Sequence, residues 1–178
     1  MDRKLERILQ KVQKPARYVG GENGQTIKDI DQVRTRVALC FPDIYEIGMS
    51  NIGLRILYHT ANQMPGVWCE RVFMPWEDME EAMRREGIPL YALESGDPVH
   101  MFDVIAFSLG YEMAYTTVLA MLDLAGVPIR ASERKSLTPL VIAGGTCAYN
   151  PEPLADFIDL FIVGEGEEVN GELIEALT

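Results

Sequence analysis

Two short apolar runs that each end in glycine constrain the fold of this chain more than any other feature. Residues 140–143 precede Gly144-Gly145, and residues 158–163 precede Gly164-Glu165-Gly166. Nearly continuous apolar runs of this length are typical of strands covered on both faces, as in parallel sheets. Glycine allows positive φ or a close approach of a ligand to the backbone. Since ligands of open α/β sheets bind at the carboxyl ends of the strands, the pattern predicts a binding edge there.

Further strands and helices complete the predicted sheet. Strands are predicted at 36–41, 67–73 and 103–109, the second near an edge of the sheet and the third at its centre. A short proline-bounded helix is predicted between the last two strands. Further helices are predicted over 2–14, 52–64, 75–86, 113–125 and 167–177. Strands that alternate with helices predict a three-layer α/β/α, doubly wound parallel sheet of flavodoxin-like order 2-1-3-4-5. Residues 1–35 are predicted as an amino-terminal helix and extended arm that pack on a Rossmann-type domain of residues 36–178.

The charge of the chain argues against polyanionic partners. The net charge is -11, and eight acids but no Lys or Arg follow Lys135. Since phosphates are attracted by clustered basic side chains, nucleic acid and anionic membrane surfaces are excluded as partners of this domain. No apolar run approaches the length of about 20 residues that a membrane span needs. The three cysteines, Cys40, Cys69 and Cys147, show no metal-ligand spacing, and a reduced, cytoplasmic protein is expected.

Several common catalytic motifs are absent. The chain has no Gly-Lys pair for a phosphate-binding Walker loop and no GxSxG nucleophile elbow. The nearest match to a dinucleotide fingerprint, Gly164-Glu165-Gly166, has Val169 where the third glycine belongs. His59 and His100 lack partners at metal-ligand spacing and are interpreted as structural. The acids at 165, 167 and 168 can be interpreted as an acid-base or metal site, but acids also suit the first turn of a helix without any catalytic role.

Small residues recur at the predicted carboxyl ends of four strands. Their backbone N–H groups and short side chains suit a flat ligand or its polar tail. Alternatively, the glycines only form tight turns between strands and helices. The candidate cofactor-binding residues are Gly48, Met49, Ser50, Ser108, Gly110, Tyr111, Gly144, Gly145, Thr146, Gly164, Glu165 and Gly166.

These stretches also resemble a known family. DVIAFSL, followed by PLVIAGGTCAYNPEPLADFIDLFIVGEGEE, is similar to the amino-terminal cobalamin-binding-type domain that precedes the catalytic barrel in cobalamin-class radical S-adenosylmethionine (SAM) proteins. FPDIYEIGMSNIGLRILYH and FSLGYEMAYTTVLAMLDLAGVP match a subgroup of large radical SAM proteins more closely. The resemblance covers residues 15–168. It implies that Ser108 and Gly144-Gly145-Thr146 face the nucleotide tail of cobalamin and that Gly164-Glu165-Gly166 lies near the corrin edge.

Two departures limit what the resemblance implies. Methyl-transfer cobalamin domains carry DxHxxG after the first strand, whereas this loop reads PDIYEIGMSN, so any bound cobalamin lacks a histidine lower ligand. The CxxxCxxC triad is also missing. A 4Fe-4S cluster and S-adenosylmethionine are therefore expected only in a carboxyl-terminal part, where a downstream radical SAM barrel would be the partner. No turnover is expected from this domain alone.

Two other functions remain open at this stage. One is a vestigial, cofactor-free domain that serves as a docking platform for the barrel, its acidic carboxyl-terminal stretch meeting a basic surface. The other is a flavodoxin-like electron carrier, although the chain lacks a Ser/Thr-rich phosphate loop after the first strand.

Overall fold

A five-stranded parallel sheet forms the centre of the protein. The computed structural model describes residues 3–164 and 166–177. The strands are β1 (Thr35–Phe41), β2 (Val67–Phe73), β3 (Val104–Ser108), β4 (Leu140–Gly144) and β5 (Leu160–Ile162). All neighbours pair in parallel, in the order β2-β1-β3-β4-β5. The predicted fold class and strand order are confirmed.

Helices cover both faces of this sheet. They are α1 (Arg3–Leu9), α2 (Tyr45–Ser50), α3 (Ile52–Gln63), α4 (Glu77–Glu86), α5 (Tyr115–Ala125) and α6 (Gly166–Leu177). Buried side chains of α1, α4 and α5 pack with one face of the sheet, and those of α3 and α6 pack with the other. One apolar core lies on each face of the sheet, so that the sheet and the two helical layers form three layers. Among the helices within the described ranges, none combines the length and apolar character needed to cross a membrane.

The strand register brings the carboxyl ends of three strands level. Ser108 at the end of β3 pairs with Gly144 of β4, and Gly144 pairs with Ile162 of β5. Side chains alternate between the two faces of a strand, so residues two apart face the same side. Ile142 and Ile162 belong to the core beneath α3 and α6. Gly144 therefore faces that same side, where the absence of a side chain leaves space.

Three local predictions differ from the structure. No α-helix joins β4 to β5; two 3₁₀ turns, Thr146–Tyr149 and Glu152–Leu154, take its place. A segment this rich in proline lacks the backbone donors that a continuous helix needs. The loop after β1 contains the unpredicted short helix α2, and α1 ends before the predicted stop at Pro15. The sequence also favours Asp2 as the cap of the first helix, and Asp2 lies outside the described residues.

The segment between α1 and β1 is an arm without strands. It contains two 3₁₀ turns and lies across β2 and α3. Trp68 of β2 donates from Nε1 to the Thr26 carbonyl at 3.0 Å, and the Thr26 N–H donates to the Tyr58 hydroxyl at 2.7 Å. The arm is thus tied to the sheet by hydrogen bonds from buried side chains. Whether it behaves as a unit separate from residues 36–178 stays a prediction.

Candidate functional site

A cleft lies between α3 and α6, above the carboxyl ends of the central strands. Its volume is about 360 Å³, near the lower end of the range of about 300–1,000 Å³ found for ligand pockets. The floor alternates along the strands, with Ala106 and Ser108 from β3 and Ile142 and Gly144 from β4. Ala106 and Ile142 make this floor apolar, and Ser108 and Gly144 put small residues at the ends of β3 and β4.

Six of the twelve predicted site residues line this cleft. They lie at the carboxyl ends of β3 and β4, in the segments that follow β4 and β5, and at the start of α6: Ser108, Gly144, Gly145, Thr146, Gly164 and Gly166. The side-chain hydroxyls of Ser108 and Thr146 bring polarity to a largely apolar lining. Glu165 lies outside the described residues, as do the side chains of Glu167 and Glu168. The structure therefore brings together the residues at one half of the predicted edge, and their binding role stays a prediction.

The two adjacent glycines at the end of β4 differ in whether the backbone requires glycine there. Gly145 has φ of +100° and ψ of −174°, and a Cβ there would lie 2.7 Å from the Leu109 carbonyl oxygen. Only glycine fits this backbone and this contact. At Gly144 a Cβ would meet Ile162 at 3.6 Å, an ordinary contact. Gly145 is thus required by the turn, whereas Gly144 leaves the cleft open without being required by it.

The loops that follow β1 and β3 do not extend the cleft. Gly48 is buried, and a Cβ there would overlap the Phe73 ring at 2.1 Å, so this glycine permits close packing of α2 on β2. The Ser50 hydroxyl donates to the Ile47 carbonyl at 2.8 Å within α2. Neither Gly110 nor Tyr111 is among the residues that line the cleft. The predicted site residues at the carboxyl ends of the strands are therefore divided into two groups.

Tyr111 instead joins the loops after β1 and β3. Its hydroxyl donates to Oδ2 of Asp43, which raises the pKa of Tyr111 to about 12, with burial adding to the effect. Asp43 also accepts from the Ile44 N–H through Oδ1, and its carbonyl accepts from the Met74 N–H. Because strands β1 and β3 are neighbours at the point where the chain order reverses, this bond spans the position where doubly wound folds commonly hold ligands.

Nothing in the described part of the cleft replaces a histidine lower ligand. The DxHxxG position of the histidine falls on Tyr45, whose ring packs edge-on against Phe73 with 5.7 Å between centroids. Burial raises the pKa of the Tyr45 phenol, and the nearby Glu22 carboxylate raises it further. His59 lies on the opposite side of α3. Among the described residues no group of three or more His, Cys, Asp or Glu is arranged to hold a metal ion.

Sequence reasoning missed the wall contributed by α3. Gly53, Ile56 and Leu57 line the cleft from this helix, and Tyr149 closes one end. Asn51 places the wall, because its side chain caps α3 by accepting from the Leu54 N–H at 2.9 Å. Gly53 was the available signal, since a glycine inside a helix costs stability and often marks close packing or function.

The lining indicates what kind of group the cleft can hold. Within the described residues that line it, no side chain is acidic, basic or an imidazole. Two helices of twelve residues, α3 and α6, begin at the cleft, and helix amino termini favour negative charge. A neutral or weakly anionic group with both a flat apolar part and hydroxyls fits this lining.

Comparison with known proteins adds two findings. A family model described as "Radical SAM proteins, N-terminal" matches residues 53–178. The chain is also similar to the uncharacterized protein MJ0966 of Methanocaldococcus jannaschii, with 27% identity over 132 residues, which is 74% of this chain and 24% of that protein. The chain thus spans about a quarter of the length of this curated relative.

Proposed function

Because this chain belongs to the family of radical SAM protein amino-terminal domains, we propose that it binds a cobalamin-type corrinoid through the cleft between α3 and α6. The observation that carries the proposal is the joint lining of that cleft by Ser108, Gly144 and Gly164. These are the positions that the family resemblance assigns to the nucleotide tail and corrin edge.

The cleft suits the tail of the cofactor rather than the corrin ring. Ile142 and Ile162 offer an apolar floor for a flat base, and the Ser108 and Thr146 hydroxyls lie among the lining residues where a ribose could bond. The amino termini of α3 and α6 favour the phosphate of the tail. The corrin would then lie outside, over the strand ends.

Cobalamin supplies radical chemistry through its cobalt when it is bound. The residues of this domain hold and orient the molecule. No imidazole lines the described cleft, so the cobalt would have no histidine lower ligand from it. The reacting face would be directed at a radical SAM barrel in the same polypeptide, which would hold a 4Fe-4S cluster and S-adenosylmethionine.

Titration of the chain with hydroxocobalamin tests this function. We expect a saturable change in the visible spectrum and a higher melting temperature, because only the folded cleft binds the cofactor. Cobinamide, which lacks the nucleotide tail, is the matched ligand and is expected to bind at least ten-fold more weakly. Equal binding of the two corrinoids would contradict insertion of the tail.

A pair of glycine variants locates the site. Gly144→Val places two methyl groups in the cleft from a position where Cβ makes an ordinary contact, and should weaken hydroxocobalamin binding at least ten-fold. Gly110→Val is the control, since a Cβ there meets nothing within 4 Å and Gly110 does not line the cleft. Loss of binding in both variants, or in neither, would contradict the assignment.

A docking platform for the barrel is the second candidate, favoured by exposed apolar side chains at the carboxyl edge. Each strand is followed by at least one such residue: Ile47, Trp76, Tyr111, Met113, Tyr149 and Val163. Met113 is 85% exposed and Tyr149 is 68% exposed. Exposed apolar side chains grouped in this way are typical of interaction sites.

Hydrogen exchange distinguishes this candidate. In the full-length protein, the amides of 110–114 and 146–150 should exchange more slowly than in the 178-residue chain, with or without corrinoid. Leu137, 77% exposed in the loop before β4, is the control region and should exchange equally in both. Unchanged exchange at the carboxyl edge would exclude docking there.

A further inference from the structure

A second cavity lies on the other side of α3, between that helix, the arm and β2. Its volume is about 680 Å³, within the range of about 300–1,000 Å³ for small-molecule sites. This cavity is here called the arm groove. It is lined by Gly48 and Met49, two of the predicted cofactor-binding residues. Neither residue lines the cleft between α3 and α6.

The charged side chains that line the arm groove are basic, although the chain as a whole is acidic. The chain carries a net charge of -11, yet among the described residues that line the groove the charged side chains are Arg55 and Arg71, with His59 also present and no acid. Apolar lining comes from Met49, Ile52 and Ile56. A ligand with one anionic group and an apolar body matches this lining.

Arg71 is held rigidly at the base of the groove. Its side chain is 7% exposed, and Nε donates to Glu94 Oε1 at 2.6 Å, while the Arg71 backbone N–H donates to Glu94 Oε2 at 2.7 Å. The guanidinium also lies over the Tyr58 ring, 4.6 Å from its centroid. Burial lowers the pKa of Arg71, but attraction and hydrogen bonding by Glu94, with smaller contributions from Tyr58 and Glu22, together outweigh burial, and the pKa is raised. The cation is therefore fixed in place.

The other edge of the guanidinium has poor acceptors. Nη1 meets the Met49 sulfur at 3.3 Å, and a thioether is a weak acceptor. Nη2 meets Glu22 Oε2 at 3.4 Å, longer than the distance of about 2.7–2.9 Å for a charge-assisted bond. A buried guanidinium edge with such acceptors is a site that a better-placed oxyanion would occupy.

Glu22 of the arm is itself held poorly. Its side chain is 10% exposed. Its second oxygen, Oε1, is buried without a hydrogen-bond partner among the described residues, and the Tyr45 phenol interacts with the carboxylate. Two carboxylates, Glu22 and Glu94, thus surround one guanidinium, and only Glu94 makes short bonds to it. Leaving a buried carboxylate oxygen unpaired is costly, so Glu22 is easily displaced from Arg71.

We propose that the arm groove is a second binding site, for a small carboxylic acid with an apolar body, whose carboxylate replaces Glu22 on the Nη1–Nη2 edge of Arg71. When no ligand is bound, the carboxylate of Glu22 occupies this edge of Arg71. Planar carboxylates match the fork of a guanidinium in two parallel bonds. The ligand body lies against Ile52 and Ile56, and Arg55 adds a second positive charge at the groove wall.

Binding of benzoate to the 178-residue chain tests the site, with neutral benzamide as the matched ligand. At constant ionic strength we expect saturable benzoate binding by calorimetry and at least ten-fold weaker binding of benzamide. Equal binding of the two, or no saturable benzoate binding, would overturn the proposal. Gly144→Val should bind benzoate normally, so this result does not depend on the corrinoid function.

Two variants test the role of each charge. Glu22→Gln removes the competing carboxylate and should tighten benzoate binding at least three-fold, and Arg55→Gln should weaken it at least three-fold. Glu46→Gln is the control, because Glu46 pairs with the arm residues Lys14 and Arg17 and does not line the groove. If Glu22→Gln leaves the dissociation constant unchanged or higher, displacement of Glu22 is wrong. Arg71 is not substituted, because its loss would leave Glu94 buried and unpaired.

Discussion

At the scale of single residues, the two glycines after β4 separate a structural requirement from a functional one. Both follow an apolar strand and are indistinguishable in the sequence. The backbone of Gly145 and its contact with Leu109 exclude any side chain, whereas Gly144 has room for one. Only Gly144 is therefore informative about a ligand.

Alanine substitution should separate the two glycines by stability. Gly145→Ala is expected to lower the free energy of unfolding by about 1–3 kcal/mol, because its backbone conformation is strained for other residues. Gly144→Ala, with a Cβ at 3.6 Å from Ile162, should stay within about 1 kcal/mol of the parent. Urea denaturation of both variants measures the difference. Equal losses would show that the turn geometry is wrong.

Glu46 gives the protein a predictable response to acid. Burial alone would raise the pKa of Glu46, but hydrogen bonds from Arg17, from a backbone N–H and from Lys14 lower it from 4.5 to about 2. Since the pKa is lower in the folded state, Glu46 stabilises the fold fully above its unfolded pKa. That contribution is lost as the pH falls from about 4.5 to about 2.

The acid response should decrease in Glu46→Gln. The free energy of unfolding of the parent should fall more steeply between about pH 4.5 and pH 2 than that of the variant, as measured by urea denaturation at each pH. Glu152→Gln, at an exposed position with no described pairing, is the control and should keep the parent's slope. Parallel curves for the parent and Glu46→Gln would contradict the ion pair with Arg17.

At the scale of elements, α3 separates the two cavities of the molecule. One side of this helix lines the cleft between α3 and α6 and the other lines the arm groove, with Ile56 belonging to both. The start of α3 decides where both walls lie. Two neighbouring polar residues precede this helix, Ser50 and Asn51, and the side chain of Asn51 is the one that caps it.

Removing this cap should loosen both cavities. Asn51→Ala leaves the Leu54 N–H without its partner and is expected to cost about 0.5–2 kcal/mol of stability. Ser50→Ala removes only an exposed hydrogen bond within α2 and should cost less. Thermal denaturation compares the two variants. A larger loss for Ser50→Ala would contradict the assignment of the cap.

At the scale of the whole molecule, the arm determines whether the chain unfolds as one unit. Both tryptophans touch it: Trp68 donates to Thr26, and the Trp76 ring lies 5.6 Å from the Arg17 guanidinium. Lys28 adds bonds to the carbonyls of Asn62 and Val67. Tryptophan fluorescence therefore reports the arm, while far-ultraviolet circular dichroism reports the helices and sheet.

The two signals should change together during urea denaturation. Coincident transitions are the mark of two-state unfolding, and we expect them because buried hydrogen bonds tie the arm to β2 and α3. Trp76→Phe isolates the signal of Trp68 as a control. If fluorescence changes at lower urea concentration than circular dichroism, the arm unfolds independently and residues 1–35 form a separate unit.

The sequence alone predicted the sheet and its order, because the strands are mostly apolar, are followed by turn residues or proline, and alternate with helices. The strand at 103–109 and the glycines after 143 and 163 also located half of the candidate site, since parallel strands place their carboxyl ends at one edge. Local patterns failed between β4 and β5, where prolines allow only 3₁₀ turns.

Only the tertiary structure decided which turns share a cavity. Gly48 and Met49 follow a strand just as Gly144 does, yet α3 lies between them, and a helix can separate residues whose sequence patterns are alike. The pairing of Arg71 with Glu94 and Glu22 joins residues 23 and 49 positions apart. Such contacts arise from packing between layers, for which no spacing in the sequence gives a signal.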